Sequence, residues 1–220
     1  TNIAHGNMGV RLFEVANVFA ADPASQTTAH ESARLGLVMY GSLSDTAWPN
    51  KETDAGYADV RGLVEHFVGF LHLHAPVFVR DEAAHPFLAP SVTVTVDGNP
   101  VGVIGQVKPQ IADAYHARKP VWLAELDLEA LWERHKKAKI AFKPLAVFPP
   151  SRRDVTVIAP ASLSVADIEE HIRKMRIAIL EEVTLIDLYE PKDSADRNLT
   201  FRLTFRKADR TLKDAEVDKE

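Results

Sequence analysis

The chain has 220 residues, 46% of them apolar and 26% charged, with 31 acidic against 26 basic side chains and no cysteine. A chain this long holds one large or two small domains and can bury a proper core. Disulfides, thiol chemistry and zinc–thiolate sites are excluded, and a net charge of −5 argues against gripping nucleic acid by bulk charge. The absence of cysteine fits a reducing compartment. No apolar run reaches the roughly 18 residues that span a bilayer. The opening TNIAHGNMGVRLFEV has neither the basic start nor the apolar run of a signal peptide. It also lacks an initiator Met, so the chain reads as a piece of something longer.

In chain order, VRLFEVANVF (10–19) alternates as a strand, ADPASQTTAHES (21–32) is a polar loop, and RLGLVMYGSL (34–43) is a buried strand. SDTAWPNKETDAGY is a second loop. A helix begins near Ala58, with Val60, Leu63, Val64, Phe67, Phe70 and Leu71 at helical spacing and Asp59 and Glu65 as solvent positions. APVFVR (75–80) is a short strand. SVTVTVDGNPVGVIGQV (91–107) is a β-hairpin: valines alternate with threonines, and DGNP supplies the turn. KPQIADAY opens a short helix with Pro109 in its first turn. VWLAELDL (121–128) is a strand, LEALWERHKKA a helix with a basic end. The lysine-rich KKAKIAFKP then leads to a proline joint, and a domain boundary is expected near 140–148.

The second half reads as strand 152–159, a helix capped by Ser164 with Asp167 closing a capping box, strand 180–190, loop PKDSADRN, strand 199–207, and a further helix with Thr211 as its cap. The helix stripe is Val165, Ile168 and Ile172. The order β-α-β-β-α is that of a ferredoxin-like βαββαβ unit whose last strand is missing. The fold class is therefore α+β.

The chemistry-bearing signal is the strand NLTFRLTFRK. Leu199, Phe201, Leu203 and Phe205 share one face, Thr200, Arg202, Thr204 and Arg206 the other. Six basic residues stand between Arg197 and Lys213 against Asp209 alone. Two readings stay open: a sheet face that meets phosphates, or a solvated face whose arginines pair with Glu181, Glu182 or Asp187 on a neighbouring strand. RNA-binding sheets usually carry stacking aromatics on the open face, whereas Phe201 and Phe205 lie with the leucines. In FPPSRRDVTVI, strand parity separates the two arginines. Arg153 is expected on the core side, anchored by a carboxylate or by carbonyls, and Arg152 on the open face near Asp154.

Elsewhere the residues offer no catalytic centre. GVIGQVKP has neither a G-x-G-x-x-G nor a P-loop lysine, so its glycines suit close strand packing. No G-x-S-x-G or H-E-x-x-H occurs. His66, His72, His74 and His85 lie close in sequence but have no carboxylate or cysteine at ligand spacing, and no metal site is assigned.

Several stretches, in order, resemble the C-terminal part of bacterial phenylalanyl-tRNA synthetase beta subunits: VRLFEVANVF, GYADVRGLVEHFVGFL, VDGNPVGVIGQVKPQIADAY, VWLAELDLEAL, FPPSRRDVTVI, LIDLYE and LTFRLTFRKADRTLKDAEV. The chain departs from the family's usual pattern at Lys108 and in FLAPSVTV. The resemblance implies that residues 1–140 form a catalytic-like domain with the antiparallel sheet of class II synthetases but no active site. Residues 148–220 would form a ferredoxin-fold anticodon-binding domain, cut short. It implies a cytoplasmic, non-catalytic part of an enzyme that attaches phenylalanine to tRNA. Its partners would be tRNA(Phe) and an alpha subunit, in a heterotetramer of two alpha and two beta chains. ATP and Mg2+ would serve the holoenzyme, with no cofactor in this part. The tRNA contacts fall to Arg152, Arg202, Arg206, Lys207 and Arg210, with Arg153 and Asp154 structural. A protein-interaction module without RNA binding of its own is the alternative.

Overall fold

Of the 220 residues, the computed structural model describes 3–7, 9–24, 27–43, 48, 51–81, 83–142, 144–192 and 194–219. The chain divides into two compact units, Thr1–Ala141 and Phe142–Glu220.

The first unit is built on a six-stranded antiparallel sheet, formed by β1 (Gly9–Ala21), β2 (Ala29–Gly41), β3 (Val77–Arg80), β4 (Leu88–Val96), β5 (Asn99–Val107) and β6 (Val121–Asp127). Its spatial order is β1-β2-β6-β5-β4-β3. Helices α1 (Tyr57–Phe70) and α3 (Leu128–His135) pack on one face; Val60, Val64 and Val68 meet Val94, Ile104, Ala124, Leu126 and Leu131 there. The short α2 (Pro109–Ala114) contributes Ala112 to a second cluster with Val10 and Tyr40, whose strand parity sets them on the opposite face. Beyond the reach of the helices, edge strand β1 leaves Phe13 76% and Phe19 69% exposed.

Three sequence expectations change here. The loop assigned to 21–32 is shorter, because β2 begins at Ala29 and pairs along its whole length with β1; a polar composition does not prevent an edge hairpin from continuing its ladder. The helix stripe runs through Val60, Val64 and Val68, while Leu63 and Phe70 lie on its flank and stay exposed. Asp59 is a cap, not merely a solvated acid: the Gly56 N–H donates to its Oδ2 at 2.8 Å. The loop expected after β2 falls partly on 44–47, 49 and 50, outside the described residues.

The hairpin β4–β5 stands as read, with Val94 and Val96 buried. Its glycines are there for close approach. A Cβ on Gly102 would lie 2.3 Å from Glu125 O, and one on Gly105 would lie 2.5 Å from Pro90 O.

In the second unit, β7 (Ser151–Pro160), β8 (Leu180–Tyr189) and β9 (Asp196–Phe205) form an antiparallel sheet in the order β7-β9-β8. β7 and β8 both run antiparallel to β9, so α4 (Val165–Lys174) is the crossover between parallel neighbours-but-one, as in a split βαβ unit. The Ser164 hydroxyl accepts from Asp167 N–H at 3.1 Å, and Asp167 accepts from Ser164 N–H at 3.0 Å, the reciprocal cap that the sequence spells. Ile168, Leu199, Phe201 and Ala159 form the core, with Val165 and Ile172 against it. β9 starts at Asp196, inside the expected loop, because its first residues complete the ladder with β7. The last helix, α5, spans only Asp214–Val217, and Thr211 does not cap it. Glu216 does so, accepting from Lys213 N–H at 3.0 Å.

Candidate nucleic-acid interface

One face of the three-stranded sheet carries α4; parity and register define the other, which no described helix covers. Its rows are Arg152–Thr204–Glu182, Asp154–Arg202–Thr184, Thr156–Thr200–Asp187 and Ile158–Asn198–Tyr189. Thr156 and Thr200 share a hydroxyl–hydroxyl hydrogen bond of 3.0 Å. The face is thus a mixture of hydroxyls, carboxylates and two cations, with an apolar end.

Of the two neighbouring arginines, Arg153 points to the helix side. Its Nη2 donates to Asp214 at 2.8 Å and its Nε to Asp218 at 2.9 Å, while Nη1 reaches Arg152 O at 3.1 Å. It thereby ties α5 to β7. Arg152 lies on the open face, exposed, and makes no side-chain ion pair among the described residues.

The other candidate cations are engaged. Arg202 holds Asp154 in a two-pronged pair, Nε–Oδ1 2.8 Å and Nη2–Oδ2 2.7 Å. These bonds, and the charge behind them, hold the Asp154 carboxyl below the ordinary carboxylate range. Arg206 lies past the end of β9, where it donates to Glu181 at 2.8 Å and to Phe148 O at 2.9 Å. That second bond fastens the start of the second unit to its sheet. Arg210 donates to both carboxylate oxygens of Glu216, and Lys207 Nζ lies 3.8 Å from the same carboxylate. Glu216 is held down to about 2, first by Arg210 and then by the Lys213 N–H. Arg206, Lys207 and Arg210 therefore serve internal contacts around α5 and the joint, and do not gather with Arg152 and Arg202 on the open face.

Sequence reasoning missed the apolar end of the face. Ile158 is 70% and Tyr189 58% exposed there, so the face does present an aromatic ring. A β-bulge between Leu185 and Asp187 hides this from the sequence. An unbroken strand would set Tyr189 with Val183 and Leu185 against the helices, and the extra residue turns it outward. Two adjacent apolar residues, Leu185 and Ile186, are the only trace of the bulge in the sequence.

Among the described residues no three His, Asp or Glu side chains converge as a metal site. His85 accepts from the N–H of Leu88 at 3.2 Å, a turn-closing role, and His74 contacts Asp97 at 2.7 Å.

Two family profiles match the chain: the phenylalanyl tRNA synthetase beta chain CLM domain over residues 1–128, and the ferredoxin-fold anticodon binding domain over 146–220. The phenylalanine–tRNA ligase beta subunit of Nitratidesulfovibrio vulgaris is 58% identical over 219 residues, covering 100% of this chain and 27% of that one. That of Oleidesulfovibrio alaskensis is 48% identical, over 94% of this chain and 26% of its own. That of Symbiobacterium thermophilum is 33% identical, over 94% and 23%. The chain thus spans about a quarter of the relatives it matches. A solved pyrrolysyl-tRNA synthetase from Desulfitobacterium hafniense aligns over 59% of this chain and 42% of its own, with a TM-score of 0.42 and 12% identity, too remote to carry an argument.

Proposed function

The chain belongs to the phenylalanyl-tRNA synthetase beta-chain family, and from that premise we propose that it is a tRNA-holding, non-catalytic part of a phenylalanine–tRNA ligase. On this reading residues 1–140 are a catalytic-like domain of class II type without an active site, and residues 148–220 bind the anticodon region of tRNA(Phe). The polypeptide works in the cytoplasm with an alpha subunit, as two alpha and two beta chains, and the alpha subunit carries the chemistry with ATP and Mg2+. Gly102 and Gly105 support the negative part of this reading. They fill close contacts between strands and form no cradle for a nucleotide.

The observation that carries the RNA role is the uncovered sheet face. Arg152, without an ion pair among the described residues, offers its guanidinium to a phosphate. Thr156, Thr184, Thr200 and Asn198 offer hydrogen-bonding groups, and Tyr189 offers a ring on which a base can stack. Binding rests on few charges, in keeping with the net charge of −5.

The test is tRNA binding by the assembled two-subunit enzyme carrying Arg152→Gln. Affinity should fall by about fivefold, and the slope of log affinity on log salt should flatten by about one phosphate contact. An unchanged affinity and slope would remove the open face from the RNA interface and leave a protein-interaction role for the unit.

A further inference from the structure

The first unit carries a concentration of positive charge that the reading above does not use. A basin of about 380 Å3 is bounded by His72, His74, Asp97, Arg134, Lys137 and Lys139. Three elements build it. The turn after α1, with His72 at φ 55°, brings His72 and His74 in from one side. The β4–β5 turn supplies Asp97, and the C-terminal end of α3 with the segment after it supplies the cations.

Basic residues at a helix C-terminus often do no more than answer its dipole. That accounts for Arg134, whose Nη1 donates to Ala130 O at 2.6 Å, and for Lys136, which pairs with Glu133 outside the basin at 2.5 Å. It does not account for Lys137 and Lys139, which follow the helix. Both are exposed, and neither makes an ion pair among the described residues. Asp97, the carboxylate that lines the basin, is taken by His74 at 2.7 Å. Counting the lysines and Arg134 alone, three cations face one acid. Such a concave cluster recruits an anion with several acceptor oxygens.

We propose that this basin binds a phosphate group. Lys137 and Lys139 supply the charge, the free N–H groups of Arg134 supply directed hydrogen bonds, and the imidazole of His72 completes the rim. The phosphate comes either from an RNA backbone or from a free phosphorylated compound. The first source would add a contact on the first unit to those proposed for the second.

Inorganic pyrophosphate titrated into the 220-residue chain, read by the imidazole NMR signals of His72 and His74, tests the site without reference to tRNA. Saturable shifts are expected, and they should vanish in Lys137→Glu/Lys139→Glu. The milder Lys137→Gln/Lys139→Gln should weaken them while retaining the native circular dichroism spectrum. A second arm rests on the proposed function: tRNA binding by the assembled enzyme with the same double charge reversal, against Lys51→Glu as an exposed control outside the basin. A loss of roughly tenfold beyond the control, with a salt slope flattened by about two contacts, identifies RNA as the source. Saturable pyrophosphate binding with unchanged tRNA affinity identifies a free phosphorylated compound. If pyrophosphate gives no saturable shift and tRNA affinity does not move beyond the control, the proposal is overturned. Failure of Arg152→Gln alone would strike only the open face of the second unit.

Discussion

Arg202 turns two of its N–H donors, at Nε and Nη2, to Asp154, and this pair decides what the open face offers a phosphate. Facing strands give Arg202 and Arg206 a carboxylate each, so the charge that the sequence concentrates on β9 is largely answered locally. The solvated-face alternative thus describes Arg202 and Arg206, although Arg202 found its acid on β7 rather than on β8. The pair is solvent-exposed and screened, and so contributes little to stability. On the proposed RNA role its effect on binding is larger, because Asp154 occupies Arg202 and would repel a phosphate backbone. Asp154→Asn should therefore raise tRNA affinity of the assembled enzyme by about two- to fivefold near 0.1 M salt, with no more than a small change in melting temperature. Weaker binding by this variant would mean that Asp154 acts by orienting Arg202, or that it contacts RNA directly.

At the scale of elements, legibility followed the regularity of the strand or helix. α4 could be read with its cap and its stripe, because Ser164, Asp167, Val165, Ile168 and Ile172 obey helical spacing without exception. The same holds for β9, whose period of two sorted Phe201 from Arg202 correctly; the β4–β5 hairpin was legible from its alternating valines and its turn residues, although its register shifts between Val94 and Thr95. The span of β8 was read but its faces were not, because its bulge shifts every side chain after Leu185 by one face. A carboxylate anchor for Arg153 and the Glu181 partner of Arg206 were within reach, but which acids hold Arg153 was not, for a different reason. Arg153 meets Asp214 and Asp218 across 61 and 65 residues of sequence, a distance that no local pattern encodes. The bulge makes a sharp prediction. Deleting Ile186 takes out the extra residue, while Asp187, Leu188 and Tyr189 keep their partners Thr200, Leu199 and Asn198 and hence their faces. The melting temperature should therefore shift by no more than about 5 °C, and tRNA binding by the assembled enzyme should be retained. Loss of binding with the fold intact would show that the bulge itself, and not only the face it gives Tyr189, shapes the contact.

Over the whole molecule, acid-sensitive pairings are unevenly divided. Three carboxyls of the second unit are held below their ordinary values: Glu216, at about 2 through Arg210, Asp154 through Arg202, and Asp167 through the Ser164 cap. In the first unit Glu133, beside Lys136, is the one described carboxyl clearly lowered. A carboxyl lowered on folding stabilises the native state above its unfolded value. That contribution is lost as pH falls through the folded value. For Glu216 the loss runs from about 4.5 down to about 2. Acid should therefore loosen the second unit first. The sequence offers a convenient reporter, since Trp48, Trp122 and Trp132 all lie in the first unit and none in the second. Between pH 4.5 and 2, far-ultraviolet circular dichroism should lose amplitude while tryptophan emission keeps its native maximum. Glu216→Gln should bring the dichroism change to higher pH, and variant and wild type should converge as pH approaches 2, where Glu216 itself becomes protonated. Tryptophan emission that shifts in step with the dichroism would show instead that acid acts on both units together, and that the carboxylates around α5 do not set the weak point.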